Sequence, residues 1–318
     1  MRIVFMGTPP IAANTLNAIY EAGHEVPLVV TQPSKKKGRG MTIMNTPVMD
    51  MAQQLGIPVL APESMRNNAP MKELVQAEAD FYVVIAYGRI LPREILDIPK
   101  HACLNIHYSL LPKYRGASPV HHALLSNDKE TGVAVIKMDE GMDTGDVLKN
   151  STTSIRPDET RGELESRLEQ LGIQCLLEVI SDYEQLSPVK QDESQATYTA
   201  KISKDKAIVD WKTSATIICC LSRALTPGPG AQAFFRGKRV KLISMRPIPI
   251  SSIDHDHGAD QCGTVIDITS EGIVVGCGEA SRILITRIKP ENKSEMDSLS
   301  FINGYQIKVG TQFNSATE

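Results

Sequence analysis

Two polar side chains suited to catalysis lie two residues apart at the end of an apolar run. They are Asn105 and His107, in the segment NIHYSLLPKYRG. Residues i and i+2 of an extended strand point to the same face, so the amide and the imidazole are expected to project together. Both groups donate hydrogen bonds, and two donors aimed at one oxygen stabilise a developing oxyanion. A single histidine on a strand is more often a packed core residue, but an asparagine on the same face weakens that alternative.

Such a pair needs a carboxylate nearby, which would keep the imidazole charged and take up a proton. The segment DEGMDTGD, residues 139–146, supplies four acidic residues and two glycines. A metal site is one alternative, but the EF-hand order of ligands, which ends in glutamate, is missing. Segments rich in Asp and Gly are also commonly plain turns. The residue types leave open which aspartate matters, and they predict no metal site.

A sheet is expected to position these candidates. In the first half of the chain, short apolar runs such as RIVFMG, DFYVVIAYG and ACLNIHYS alternate with helical patterns. This alternation predicts βαβ units and a doubly wound, mostly parallel, Rossmann-like sheet with helices on both faces. The first βα turn, MGTPPIA, contains only Gly7, where a dinucleotide fingerprint needs three glycines. Binding of NAD, and with it oxidoreductase chemistry, is therefore disfavoured.

A basic segment, TQPSKKKGRG, follows the second predicted strand. Its cations are Lys35, Lys36, Lys37 and Arg39. Ligands of open α/β sheets bind outside the carboxyl ends of the strands, so this segment stands where it could contact the phosphates of a nucleic acid. A solvated run of charges is an equally good interpretation.

The polar segment 189–205 has little apolar periodicity and predicts a linker between two domains. The predicted boundaries are a catalytic domain over residues 1–188 and a C-terminal domain over residues 206–318. In the second domain, runs such as GTVIDITSEGIVVGCG and RILITRIKP are separated by turns and predict antiparallel strands. Strands of this length and spacing favour an OB-like β-barrel.

The composition is that of a soluble globular protein, with 318 residues, 42% hydrophobic and 22% charged. No apolar run approaches the ~18 residues of a membrane span, and a signal peptide is not expected at the N-terminus. Six cysteines occur without a CxxC spacing, which favours reduced thiols in a cytoplasmic protein over zinc binding or disulfides. A monomer is the default expectation.

With these segments in place, the chain resembles the family of formyltransferases that use 10-formyltetrahydrofolate. The segments NIH, SLLPKYRG and DEGMDTGD carry the resemblance, and SLLPKYRG is shared across the family. Members of the family act on glycinamide ribonucleotide, on UDP-linked amino sugars or on methionyl initiator tRNA. The segments IVFMGTP, TQPSKKKGRG and VVIAYGRILP, with a basic, β-rich tail, are similar to the members that act on tRNA, over nearly the whole chain.

The resemblance implies roles for individual residues and a reaction. Asn105, His107 and Asp143 are the implied catalytic residues, with no metal. The implied folate-binding residues are Ser109, Leu110, Leu111 and Pro112, together with Tyr87, Gly88, Ile90 and Leu91. The basic residues Lys35, Lys36, Lys37 and Arg39 would lie against the acceptor stem of tRNA. The implied reaction moves the formyl group of 10-formyltetrahydrofolate to the α-amine of methionyl initiator tRNA.

Besides its run of three lysines, which is more basic than the common pattern, the sequence departs from the family pattern at two places. Tyr108 stands where many relatives have glycine, so a bulkier edge of the pocket is expected. The segment TPGPGAQAFFRG lacks the tryptophan that is usual in the family. This second departure leaves the C-terminal contacts with tRNA open.

Three alternatives fit less well. An amino-sugar transferase would lack the TQP motif and the basic loop, and a glycinamide ribonucleotide transferase would have no use for residues 206–318. A non-catalytic RNA-binding protein on the same scaffold would have lost at least one of Asn105, His107 and Asp143. All three are present.

Overall fold

The computed structural model describes residues 1–37, 42–65, 68–249 and 261–316. The chain divides into two compact units. The first unit comprises Met1–Pro119, Glu130–Thr153 and Ser166–Thr199, and the second comprises Val120–Lys129, Ser154–Glu165 and Ala200–Glu318. Two segments from before residue 166 therefore cluster with the C-terminal residues. The domain boundaries predicted from the sequence, with a linker over residues 189–205, stay a prediction.

The elements follow one another in the alternating order that the sequence indicates. The strands up to residue 199 are β1 (Arg2–Gly7), β2 (Glu25–Val30), β3 (Lys35–Lys37), β4 (Thr42–Met44), β5 (Val59–Leu60), β6 (Phe81–Ile85), β7 (Ala102–His107), β8 (Arg115–Gly116), β9 (Glu130–Lys137), β10 (Val147–Ser154) and β11 (Tyr198–Thr199). The helices are α1 (Pro10–Glu21), α2 (Pro47–Gln54), α3 (Asn68–Gln76), α4 (Arg93–Leu96), α5 (Pro119–Leu125), α6 (Arg161–Asp182), α7 (Ala215–Ala224) and α8 (Ser298–Tyr305). Short 3-10 helices lie at Tyr183–Gln185, Glu193–Gln195 and Lys204–Ala207.

Seven strands form the main sheet of the first unit, in the order β10-β9-β7-β6-β1-β2-β5. Strand β1 pairs in parallel with β2 and β6, and β6 pairs in parallel with β7, whereas β9 runs antiparallel to β7. Strands β1 and β6 are buried almost throughout, as expected for strands that are covered on both faces of a sheet. The predicted Rossmann-like, mostly parallel sheet is confirmed.

Strand β7 positions the candidate pair. It lies between β6 and β9, where Asn105 is the partner of Val84 on one side and of Ile136 on the other. The chain leaves the sheet directly after His107. Both polar residues therefore stand at the carboxyl end of a central strand, which is the edge where open α/β sheets bind ligands.

Residues 189–199, the first part of the predicted linker, are bonded to the first unit. Val189 forms an antiparallel bridge with Val147. Strand β11 pairs in parallel with β8 as a separate two-stranded sheet. This polar segment thus follows a fixed course along the unit that carries Asn105 and His107.

The second unit contains an antiparallel sheet. Its strands are β12 (Ala231–Phe235), β13 (Lys238–Ile248), β14 (Val265–Ile268), β15 (Ile273–Gly276), β16 (Arg282–Pro290) and β17 (Met296–Asp297). The strand order is β12-β13-β16-β15-β14, with β17 paired to β16. Isolated bridges join Phe234 to Asn314 and Thr264 to Gln312, so the chain near its end reaches both edges of the sheet. This arrangement is consistent with the predicted OB-like fold.

Aromatic residues fill the core of the second unit. Phe235 lies 5.5 Å from Phe301 and 5.7 Å from Phe313, measured between ring centroids. Trp211 is 6.1 Å from Phe313 in the same cluster, again measured between ring centroids.

Over the ranges that the structure describes, no helix has the length and apolar character needed to cross a membrane.

Candidate active site

A cleft of about 590 Å³ opens beside the carboxyl end of β7. Asn105, His107 and Asp143 all line it. The first two project to the same side of the strand, as the period of two predicts. The third comes from the turn between β9 and β10. The structure therefore brings the three candidate residues to one place.

The His107 ring is held at both nitrogens. It is 6% exposed, and its Nε2 atom lies 2.9 Å from the carbonyl oxygen of Tyr114. A carbonyl only accepts, so Nε2 carries a proton. The other nitrogen, Nδ1, lies 3.4 Å from Oδ2 of Asp143. Each of the two ring nitrogens therefore faces an acceptor oxygen.

Asp143 is held in an unusual backbone conformation. Its φ angle is +56°, in the left-handed region that few residues other than glycine adopt, although Asp is among those enriched there. Its Oδ2 atom accepts a hydrogen bond of 2.7 Å from the backbone N–H of Gly116. Gly145 closes the turn tightly, since a Cβ there would lie 1.9 Å from the carbonyl oxygen of Lys137. The carboxylate is thus aimed at His107 by a constrained turn.

Asp139, in the same segment, has a different role. Its Oδ1 atom accepts hydrogen bonds from the Gly141 N–H at 3.0 Å and from the Thr144 hydroxyl at 2.6 Å. These local bonds are typical of an Asp that stabilises a turn. The structure therefore distinguishes two aspartates that look alike in the sequence. Asp139 stabilises the turn, and Asp143 faces the imidazole of His107.

Four residues of the segment AYGRILP line the same cleft, namely Tyr87, Gly88, Ile90 and Leu91. Ile90 is 84% exposed, and Met142, which also lines the cleft, is 62% exposed. The Tyr87 hydroxyl is buried, and none of the described residues forms a hydrogen bond with it. Burial also raises the pKa of Tyr87, so the hydroxyl keeps its proton. The exposed apolar side chains of Ile90 and Met142 suit an aromatic ligand.

Residues 1–180 match the family model described as formyl transferase, and residues 201–306 match the model of the formyl transferase C-terminal domain. The chain belongs to the formyl transferase family. It is 42% identical to a methionyl-tRNA formyltransferase of Neisseria meningitidis serogroup C (strain 053442), over 98% of this chain and 99% of the relative. A methionyl-tRNA formyltransferase of Caldanaerobacter subterraneus is 40% identical, again over 98% of this chain and 99% of the relative.

Solved structures of other proteins share the fold. An N-formyltransferase from Helicobacter canadensis, in complex with folinic acid and dTDP-3-aminofucose, superimposes with a TM-score of 0.67 at 18% identity, over 91% of this chain and 99% of that one. HypX from Aquifex aeolicus, in complex with tetrahydrofolic acid, superimposes with a TM-score of 0.63 at 19% identity. That match covers 97% of this chain and 48% of HypX. At these identities the likeness concerns the fold alone.

In this formyl transferase, the segment Ser109, Leu110, Leu111 and Pro112 lies apart from the described lining of the cleft. Ser109 is fully buried, and its hydroxyl donates to the carbonyl oxygen of Lys113 at 2.6 Å. Leu110 packs against Gly132, where a Cβ would lie 2.5 Å from its Cδ2 atom. The segment therefore supports the turn that carries Tyr114, the acceptor for His107. Its assignment to folate binding stays a prediction.

Tyr108, which departs from the family pattern, lines the cleft. Its ring edge lies close to Gly172 of α6, where a Cβ would be 3.5 Å from the Tyr108 Cε1 atom. That Cβ would also approach Ile106 to 2.8 Å. The glycine on α6 thus leaves room for β7 and for the larger side chain.

The basic segment forms a hairpin, in which β3 pairs antiparallel with β4. Lys35 is exposed, and its ammonium group donates to the Gln32 side chain at 2.9 Å. Gln32 in turn donates to the carbonyl oxygen of Tyr87 at 2.8 Å, which links the base of the hairpin to the cleft lining. Lys36 and Lys37 complete β3, and Arg39 lies outside the described residues.

Within the described part of the chain, no group of three or more His, Cys, Asp or Glu side chains is placed to hold a metal ion.

Two residues that contact the candidate site were not predicted from the sequence. Gly116 supplies the N–H that holds Asp143, and Gln191, from the predicted linker, donates to the backbone of the same turn. Gly116 ends the segment SLLPKYRG, but that pattern gave it no role, and Gln191 has no local pattern that would have pointed to it.

Proposed function

We propose that this chain transfers the formyl group of 10-formyltetrahydrofolate to the α-amine of methionyl initiator tRNA, giving N-formylmethionyl-tRNA and tetrahydrofolate. The observation that carries the proposal is the contact of His107 with Asp143 in a cleft that Asn105 also lines. The near full-length similarity to relatives named methionyl-tRNA formyltransferase supports the choice of acceptor.

The proposed reaction begins with attack of the α-amine on the formyl carbon. A carbon–nitrogen bond forms, and the formyl oxygen becomes an oxyanion that the Asn105 amide and the His107 imidazolium stabilise. Because Nε2 of His107 donates to the carbonyl oxygen of Tyr114, the Nδ1–H group, which also faces Oδ2 of Asp143 at 3.4 Å, would be shared between that carboxylate and the oxyanion. The intermediate then breaks its bond to N10 of the folate.

Asp143 has two roles in the proposed mechanism. Its carboxylate, 3.4 Å from Nδ1 of His107, keeps the imidazole protonated through the reaction. Through a water molecule it also accepts the proton that the attacking amine loses and returns it to N10 as the leaving nitrogen departs. The proton balance closes without a metal or a covalent enzyme intermediate.

The residues of the cleft fit a folate donor. Tyr87, Gly88, Ile90 and Leu91 would hold the pterin ring. Ile90 and Met142, both largely exposed, would lose contact with water on binding. Burial of such apolar surface favours binding by about 25 cal/mol per Å².

A transfer assay tests the proposal. The protein is incubated with 10-formyltetrahydrofolate carrying a labelled formyl group and with methionyl initiator tRNA, a nucleotide-linked amino sugar or glycinamide ribonucleotide. We expect label on the methionyl-tRNA alone. Transfer only to the amino sugar or to glycinamide ribonucleotide would overturn the proposed acceptor.

Charge reversal in the hairpin should weaken tRNA binding. Lys35→Glu is expected to raise KM for methionyl-tRNA and to leave the affinity for folate unchanged, because phosphate contacts act on the polynucleotide only. Each lost contact should also reduce the dependence of log KM on log salt by about one. The triple variant Lys35→Glu, Lys36→Glu, Lys37→Glu should show a larger change in the same direction.

The control for this prediction is Lys72→Glu, which reverses an exposed charge on α3. It is expected to leave both KM and the salt dependence close to wild type. Equal effects of Lys35→Glu and Lys72→Glu would show that only overall charge matters and would remove the hairpin from the proposed tRNA surface.

We also propose a cytoplasmic monomer. All six cysteines are free thiols in the structure, as is usual in a reducing compartment. Light scattering after gel filtration tests the monomer, and a mass near twice 34.8 kDa would contradict it.

A further inference from the structure

The segment that follows α6 crosses the turn that carries Asp143. We call residues 189–199 the connector. At its start, Val189 and Val147 exchange two backbone hydrogen bonds, of 2.8 and 2.9 Å. At its end, β11 pairs with β8, and the N–H groups of Arg115 and Ala117 donate to the carbonyl oxygens of Thr197 and Thr199. The connector is thus attached at one end directly after the turn, at Val147, and at the other end to the strand that contains Gly116.

Gln191 of the connector bonds directly to that turn. Its side-chain Nε2 donates to the carbonyl oxygen of Asp143 at 2.8 Å and to that of Gly145 at 2.7 Å. These two carbonyls belong to the left-handed residue itself and to the tightly packed glycine two residues further on. One amide group therefore holds the backbone that directly follows the carboxylate facing His107.

Arg115 fixes the orientation of the Gln191 amide. Its Nε–H donates to Oε1 of Gln191 at 3.0 Å, which leaves the NH₂ group of the amide pointing at the turn. The Arg115 side chain is fully buried, and its other donors reach the two carboxylate oxygens of Glu193, at 2.9 and 2.7 Å, and the Tyr198 hydroxyl. A buried guanidinium needs such partners, so the connector is held in one register.

The connector also bonds the backbone that holds His107. The Tyr114 N–H donates to the Thr197 hydroxyl at 2.8 Å, and the Tyr114 carbonyl is the acceptor for Nε2 of His107. Gly116, whose N–H holds Asp143, lies in the strand that pairs with β11. Both His107 and Asp143 therefore depend on backbone that the connector bonds.

We propose that Gln191 is a positioning residue for Asp143, and that the connector is part of the catalytic apparatus as well as a link between the two halves of the chain. The inference rests on the proposed function, because it takes Asp143 as a group that acts in formyl transfer. Gln191 itself lies behind the turn and acts through it. A shift of about 1 Å in a catalytic group costs roughly 100-fold in rate, so a small movement of the turn is enough to be measured.

The variant Gln191→Glu separates the hydrogen bond that the amide accepts from the two that it donates. A carboxylate of the same size still accepts from Arg115 but cannot donate to the carbonyl oxygens of Asp143 and Gly145. We expect kcat for formyl transfer to fall roughly 10- to 100-fold, with KM for folate and for methionyl-tRNA unchanged. Gln195→Glu, which makes the same charge change at an exposed position of the connector, is the matched control and should keep the wild-type kcat.

A double-mutant cycle shows whether Gln191 acts through Asp143. In the Asp143→Asn background, Gln191→Glu should cause little further loss of kcat, because the carboxylate that it positions is already gone. A general loosening of the fold would instead multiply the two effects. Gln191→Met, which removes the amide without adding a charge, guards against an effect of the new carboxylate and should give the same pattern.

The outcomes distinguish this inference from the proposed function. If the wild-type protein transfers no formyl group to methionyl-tRNA, the proposed function fails before any variant is compared. If the wild type is active, a wild-type kcat in both Gln191→Glu and Gln191→Met overturns the positioning role. Independent effects in the double-mutant cycle overturn it as well.

Discussion

Replacing Asn105 with alanine should lower kcat for formyl transfer by roughly 10²–10³-fold, the usual cost of removing one oxyanion-hole donor. The amide lines the cleft beside His107, and in the proposed mechanism its N–H group gains strength only as charge develops on the formyl oxygen. Loss of an interaction made in the transition state lowers kcat and kcat/KM together. KM for both substrates should therefore stay close to wild type.

The control is Asn150→Ala, which removes an exposed asparagine from β10 of the same sheet. It should retain the wild-type kcat, and circular dichroism should show both variants folded. A folded Asn105→Ala protein with near-wild-type turnover would remove Asn105 from the proposed mechanism. A rise in KM alone would assign it to substrate binding.

Asp143→Asn is expected to lower kcat by about 10²–10⁴-fold, the range over which a positioned acid–base group acts. The substitution keeps an oxygen that can accept from the Gly116 N–H, and Asn tolerates the left-handed conformation as Asp does. The turn should therefore keep its shape. What is lost is the negative charge beside Nδ1 of His107 and the site that takes up a proton.

Asp139→Asn is the matched control, in the same turn. The Asp139 side chain accepts from the Gly141 N–H and the Thr144 hydroxyl, and an amide oxygen can replace the carboxylate in both bonds. Its effect on kcat should be far smaller than that of Asp143→Asn. Equal losses in the two variants would mean that the acidic turn contributes only its general charge, and would contradict a specific role for Asp143.

The sequence predicted those parts of the structure that depend on local periodicity. Alternation of apolar runs and helices predicted the mostly parallel sheet, and the period of two placed Asn105 and His107 on one face. Three consecutive lysines carry no such pattern, so strand β3 of the hairpin was not predicted. The polar segment 189–205 likewise gave no sign that its first half is bonded to the first unit.

The remaining parts of the candidate site depend on contacts between distant residues. Four acids in residues 139–146 look alike in the sequence, and the difference between Asp139 and Asp143 appears only when Gly116 and His107 approach one of them. The resemblance to a family singled out Asp143 without giving its geometry. Gln191, in a polar segment, is indistinguishable by composition from a solvated residue.

The most direct test of the account is a structure of this protein with a stable 10-formyl analogue of folate. We predict that the formyl oxygen lies at hydrogen-bonding distance, about 2.7–3.2 Å, from the Asn105 amide, with the pterin ring against Tyr87 and Leu91. Binding of the analogue elsewhere on the molecule, or in the cleft with its formyl group turned away from Asn105 and His107, would contradict it.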